Sequence, residues 1–271
     1  MLLERFLWAK ADEVARLRRQ EREDGLPAPY SGQRGDFAAA LQGRKEGAPL
    51  AVIAEFKQAS PSRGRICDTL TVEEAARQYV NAGVGALSIL TERRFFAGEL
   101  DFLGRAAARC PGTPLLRKDF IFDPLQVRAT AATPAAALLL IVALTPDAAL
   151  LRRLREQAES FGMQAVVEVC GRKDLALARE SGARLIQVNA RDLDTLRVDR
   201  RACLELARQF PPEQGEIWIA ASGMDRRGHL EEAALAGFSA ALVGTALMAD
   251  GEPGAALHRL LHGREEGHHA A

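Results

Sequence analysis

The sequence predicts an α/β fold, a (β/α)8 TIM barrel with an N-terminal helical extension, and three observations carry that prediction. Eight short, nearly continuous apolar runs recur along the chain, as expected for parallel strands covered on their outer face. Between them lie stretches with apolar spacing near 3.6, such as Val72, Ala75, Ala76, Tyr79 and Val80, or Ala149, Leu150, Leu154 and Ala158. No Gly-x-Gly-x-x-Gly follows the first run, which argues against an open doubly wound sheet. In order, residues 1–49 form the extension, a polar helical opening over 2–20 and then a loop with Pro27, Pro29 and Gly32. The barrel takes 50–262, with strands at 50–56, 85–90, 114–117, 136–143, 164–169, 184–188, 216–220 and 240–243, and a polar tail occupies 263–271. All of this reads as one domain.

The 271 residues carry 36 basic and 36 acidic side chains, so no basic face for nucleic acid is expected. Glu4, Arg5 and Lys10 interrupt the apolar start, unlike a signal peptide. The longest apolar run, 135–144, is half of what a membrane-spanning helix needs. Cys67, Cys110, Cys170 and Cys203 stand far apart, which fits neither a metal site nor a disulfide framework and points to a reducing cytoplasm. Among the 36 basic residues only Lys10, Lys45, Lys57, Lys118 and Lys173 are lysines. A lysine, unlike arginine, has a tunable pKa suited to proton transfer.

In such a barrel the active site lies at the C-terminal ends of the strands. There the first strand ends Glu55-Phe56-Lys57, the third Arg117-Lys118-Asp119, the fifth Val167-Glu168-Val169 and the sixth Val188-Asn189. Glu55 and Lys57, two apart, can share a face and act as acid/base equipment or as a structural ion pair at the rim. Lys118 is either a rim acid or part of a solvated charge cluster. Glu168, in an otherwise apolar strand, needs a partner or a purpose. Asn189 is open to a second reading as a turn or helix cap. The last two strands end in Ser222-Gly223 and Gly244-Thr245, suited to phosphate through backbone N–H groups. Ser60, Ser62 and Gly64 can close over the same phosphate or over sugar hydroxyls. His229, His258, His262, His268 and His269 fall on late helices or the tail, away from the rim, and no metal site is expected.

Several segments in register resemble the indole-3-glycerol-phosphate synthase family: Ile53-Ala54-Glu55-Phe56-Lys57 with Ser60-Pro61-Ser62-Arg63-Gly64; Leu87-Ser88-Ile89-Leu90-Thr91-Glu92 with Phe95-Phe96; Leu116-Arg117-Lys118-Asp119-Phe120; Val167-Glu168-Val169; Val188-Asn189-Ala190-Arg191-Asp192-Leu193; Ser222-Gly223-Met224; and Val243-Gly244-Thr245. The resemblance implies a phosphorylated small-molecule substrate, 1-(2-carboxyphenylamino)-1-deoxyribulose 5-phosphate, closed and decarboxylated without a cofactor. It further implies Lys118 as general acid and Glu168 as acid/base partner in dehydration. Lys57, held by Glu55, then meets the anthranilate carboxylate or acts as an acid in the second half. Asn189 and Arg191 position substrate, and Ser60, Ser222, Gly223, Gly244 and Thr245 contact phosphate and sugar. Phe96, Phe120, Leu193 and Met224 wall the aromatic ring.

Two positions depart from the family pattern. Ala221 stands where a glutamate is usual, and Gln187 stands where a small glycine is usual, two residues before Asn189. Gln187 should face inward and partly fill the role vacated at Ala221. The helix after the third strand also departs, which touches packing more than chemistry. These changes leave an alternative, a weakly active or non-catalytic paralogue binding a sugar phosphate or a partner protein. The expected assembly is a monomer or weak homodimer without nucleic acid or membrane. The extension reads as a lid that brings Trp8 to the ring pocket or as a plug elsewhere.

Overall fold

The computed structural model describes residues 2–43 and 46–263; the predicted polar tail and His268 and His269 lie outside them, Gly263 excepted. Eight parallel strands form a closed barrel: β1 (Ala51–Phe56), β2 (Ala86–Leu90), β3 (Leu115–Ile121), β4 (Ala137–Ile141), β5 (Gln164–Val169), β6 (Leu185–Asn189), β7 (Ile217–Ala221) and β8 (Ala240–Val243). Each strand pairs with its sequence neighbour, and β1 closes the ring on β8 from Ala51↔Ala240 to Ala54↔Val243. The helices are α1 (Leu2–Arg22), α2 (Phe37–Gln42), α3 (Val72–Asn81), α4 (Arg93–Phe96), α5 (Phe102–Arg109), α6 (Pro124–Ala131), α7 (Ala148–Ser160), α8 (Arg172–Glu180), α9 (Arg200–Gln209), α10 (Arg227–Leu235), α11 (Thr245–Met248) and α12 (Pro253–His262). A short antiparallel ribbon, Ala59–Ser60 with Gly64–Arg65, follows β1.

Alternation along the strands separates two cores. Ile53, Leu116, Leu139, Val166, Ile219 and Leu242 fill the barrel interior, while Val52, Leu87, Leu138, Val167, Ile186 and Trp218 face the helices. Local signals start the helices where apolar periodicity begins. Thr71 and Glu74 form a capping box ahead of α3, and Asp123 and Gln126 form another ahead of α6 with Pro124 in its first turn.

The extension does two jobs at opposite ends. Phe37 and Leu41 of α2 are fully buried in the interior cluster, and the Ala38 amide donates 2.9 Å to Gln164 at the start of β5, so α2 plugs the floor. Helix α1 reaches the other end. Its Phe6 stacks on Phe120, ring centroids 4.2 Å apart, and its Lys10 pairs at 2.8 Å with Asp119 near the end of β3.

Two strand ends differ from the sequence reading by two residues or more. β3 runs four residues past Arg117, because Asp119 is satisfied by Lys10, Arg117 and Thr91 and so stays in a buried strand. β4 stops at Ile141, where a 3-10 turn over Val142–Leu144 begins and the Thr145 hydroxyl donates to the Ile141 carbonyl at 3.0 Å.

Candidate active site

The C-terminal ends of the strands surround a cavity of about 720 Å³. Lys57 Nζ lies 2.9 Å from Glu55 Oε1, and the Ser88 hydroxyl donates to Glu55 Oε2 at 3.4 Å. Gly244 is needed here, since a Cβ at that position would stand 2.5 Å from Glu55 Oε1. The first strand's acid and base are therefore clasped by the end of the eighth.

Across the mouth, Glu168 is nearly fully buried and holds three partners. Lys118 Nζ is 3.5 Å from its Oε2, Gln187 Nε2 donates to the same oxygen, and Asn189 Nδ2 donates to Oε1 at 3.0 Å. Burying a carboxylate demands this company. Asn189 is itself fixed, because its Oδ1 accepts from the Ser222 hydroxyl at 2.9 Å and from the Arg191 amide at 3.0 Å. Ser222 and Gly223 both take left-handed backbone, φ +68° and +74°. That bend carries the chain from β7 over the mouth, and at Gly223 a Cβ would meet Arg200 Cγ at 2.8 Å.

The structure brings the residues singled out for chemistry, phosphate and ring contacts to this one cavity, Gly64 excepted: Glu55, Lys57, Ser60, Phe96, Lys118, Phe120, Glu168, Asn189, Arg191, Leu193, Ser222, Gly223, Met224, Gly244 and Thr245 line it. Gln187 also faces inward and lines it, fully buried. Ser62 does so too, whereas Gly64 sits outside in the exposed ribbon.

Phe6, Arg63 and His229 are among the lining side chains not anticipated as site residues. Phe6 lines the cavity, whereas Trp8 is 65% exposed and packs under the Arg94 guanidinium, so the extension delivers the phenylalanine and not the tryptophan. No local pattern in 2–20 separates the two rings; only the distant Phe120 does. Arg63, in the turn after β1, joins Arg191 at the cavity wall. Burial and then the charge of Arg63 lower the Arg191 guanidinium from its ordinary value, which marks a positive pocket suited to an anion. His229 lies at the cavity edge, contrary to the expectation that the histidines avoid it. Its Nε2 accepts from Arg226 Nε at 2.6 Å, and Asp225 stands 2.8 Å from Nδ1. Burial and then Arg200 lower its pKa, keeping the ring neutral as a brace between arginines. Among the described residues no cluster of three or more His, Cys, Asp or Glu could hold a metal, and no helix is long and apolar enough to cross a membrane.

A family model described as indole-3-glycerol phosphate synthase matches residues 3–260. The indole-3-glycerol phosphate synthase of Chloroherpeton thalassium is 39% identical over 254 residues, covering 91% of this chain and 94% of that protein. That of Koribacter versatilis is 41% identical over 225 residues, covering 83% and 85%. That of Desulfotalea psychrophila is 38% identical over 265 residues, covering 96% and 98%. More distant solved structures share the fold alone. A 3-hexulose-6-phosphate synthase superposes with a TM-score of 0.63 at 14% identity, covering 78% of this chain and 98% of that one. The Salmonella typhimurium enzyme of the same name gives 0.61 at 16%, covering 78% and 96%.

Proposed function

The chain belongs to the indole-3-glycerol phosphate synthase family, and from that membership we propose how its own residues carry the reaction. It is a carboxy-lyase of tryptophan biosynthesis that acts on a phosphorylated small molecule. The substrate is 1-(2-carboxyphenylamino)-1-deoxyribulose 5-phosphate; the products are indole-3-glycerol phosphate, carbon dioxide and water.

One observation supports the assignment of roles above the others: Lys118 faces the buried Glu168 at 3.5 Å inside the cavity. Lys118 protonates the ketose oxygen as the ring carbon that bears the carboxylate attacks the carbonyl carbon. Loss of carbon dioxide then restores the aromatic ring, so the protein's task is to orient two parts of one substrate and to supply protons. In the dehydration a proton leaves the carbon beside nitrogen and the hydroxyl departs as water with a proton. Glu168 exchanges these protons, and solvent reloads Lys118. Lys57, its charge held at the mouth by Glu55, meets the substrate carboxylate until it is lost.

Phosphate sits against the amides of Gly223, Gly244 and Thr245 with the hydroxyl of Ser60, since the first turn of α11 leaves amides without intrahelical acceptors, while Ser222, its hydroxyl donated to Asn189, shapes the turn before Gly223. Arg191, joined by Arg63, adds positive charge there. Phe96, Phe120, Leu193 and Met224 hold the anthranilate ring, with Phe6 closing the wall from α1.

The chain works in the cytoplasm as a monomer or weak homodimer. Free thiols at Cys67, Cys110, Cys170 and Cys203 support the compartment. The exposed large apolar side chains Trp8, Tyr30, Val80, Val198 and Leu235 lie on separate segments, which supports the assembly state. The test is indole fluorescence on mixing the protein with substrate. Product from wild type and formation slower by about a hundredfold or more from Lys118→Ala supports the assignment; equal rates would overturn it.

A further inference from the structure

Glu168 must hold a proton at one moment and lack it at another if it exchanges protons in the dehydration, and the inference below rests on that reading. In the structure both of its oxygens accept from amide groups: Oε1 from Asn189 and Oε2 from Gln187. A protonated oxygen would instead need an acceptor facing it.

The two amides are not equivalent. Asn189 cannot turn without cost, since its oxygen is held by the Ser222 hydroxyl and the Arg191 amide. Gln187 has nothing on its other side: its Oε1 is buried and has no hydrogen-bond partner. Turning the Gln187 amide by half a turn breaks no bond except the one to Glu168. It also exchanges one unpaired polar group for another in the same place. The oxygen it serves, Oε2, is the one that faces Lys118.

We infer that Gln187 is a positioning residue that follows the protonation of Glu168, donating through Nε2 to the carboxylate and turning its Oε1 to accept from the acid. The proton therefore arrives at and leaves from Oε2, on the Lys118 side, while Asn189 holds Oε1 still. Each cycle moves one proton onto Oε2 from the carbon beside nitrogen and one off it to the departing hydroxyl, so the balance of the dehydration closes. An amide suits this task because it both donates and accepts. A second carboxylate at the same contact would repel the ionised Glu168, and an apolar side chain would leave the acid without an acceptor. Ala221, on the neighbouring strand and also lining the cavity, adds no competing polar group.

The experiment separates the two halves of the reaction in a single turnover, reading carbon dioxide release for ring closure and indole fluorescence for dehydration. With Gln187→Leu, release is expected at the wild-type rate while indole formation slows about tenfold or more, the size of a lost hydrogen bond to a charged group. With Gln187→Glu, whose protonated acid also donates and accepts, dehydration is expected to recover at low pH and to fall as the second carboxyl ionises. This second variant carries the test should Gln187→Leu not fold. Equal slowing of both phases, no slowing of either, or a Gln187→Glu pH profile like that of wild type would overturn the role of Gln187. Failure of the underlying reading looks different: Glu168→Gln would then dehydrate at the wild-type rate.

Discussion

Lys118 meets Glu168 from the neighbouring side of the barrel at 3.5 Å, and the lysine keeps a fifth of its side chain open to the cavity while the carboxylate keeps almost none. That asymmetry divides the labour. The exposed partner can touch substrate directly, and the buried one holds it in place and trades protons behind it. Lys118→Ala is expected to lower kcat by about 10²–10⁴, the usual contribution of a positioned acid. Lys118→Arg retains the charge but does not release a proton, so it should recover binding and little turnover. Steady-state kinetics of the two variants, read as KM against kcat, checks both statements.

Gly244→Ala tests the clasp between β8 and β1. The added methyl would stand 2.5 Å from Glu55 Oε1 and force that carboxylate off Lys57. A shift of about 1 Å in a catalytic group costs up to about a hundredfold, so kcat/KM should drop by that order with the fold intact. Gly228→Ala is the control, because a Cβ there meets nothing within 4 Å. Circular dichroism melts beside kinetics would expose any loss that is merely structural.

Phe6→Ala removes a ring that is 2% exposed, stacked on Phe120 and set edge-on to Phe95 at 5.2 Å. It should destabilise the protein by about 3 kcal/mol and raise KM more than it lowers kcat. Trp8→Ala, two residues away but solvent-facing, should change stability by less than about 1 kcal/mol. Denaturant melts compare the pair directly.

Asp119 gives the protein an acid-sensitive pin. Burial pushes its carboxyl up, but Arg117 and then Lys10 outweigh burial and hold it well below the usual carboxylate range. The unfolded chain therefore takes up a proton near the ordinary value of 3.8 while the folded one does not. The stabilisation is complete above that value and disappears as pH falls toward the folded one. Urea melts should show stability flat in this contribution from pH 7 to about 5 and declining below about 4. Asp119→Asn should be less stable at neutral pH and lose part of that acid slope.

The same residue shows where a sequence stops being legible. The strands were visible because their apolar runs are local, and the rim residues were visible because barrel geometry assigns strand ends to the mouth. Arg117-Lys118-Asp119 reads equally well as a solvated charge cluster, however, and what makes it a strand is Lys10, far upstream on α1. Phe6 was illegible for the same reason: its partner Phe120 lies in β3. Gln187 was legible only in direction. Alternation turned its side chain inward, but the contact with Glu168 and the unpaired oxygen depend on how two neighbouring strands register, Glu168 opposite Gln187. The paralogue alternative rested on Ala221, Gln187 and the helix after the third strand together, and nothing among the relatives favours it.

The pairing of β1 with β8 also imposes an order on the protein's birth. As the chain leaves the ribosome Glu55 emerges long before Gly244, so the pair that shapes one side of the mouth cannot meet until the eighth strand has been made. Helix α1 likewise waits for β3 before Lys10 finds Asp119. A nascent chain thus leaves the Gly244 side of its mouth open until the eighth strand exists, and that wall forms together with closure of the ring.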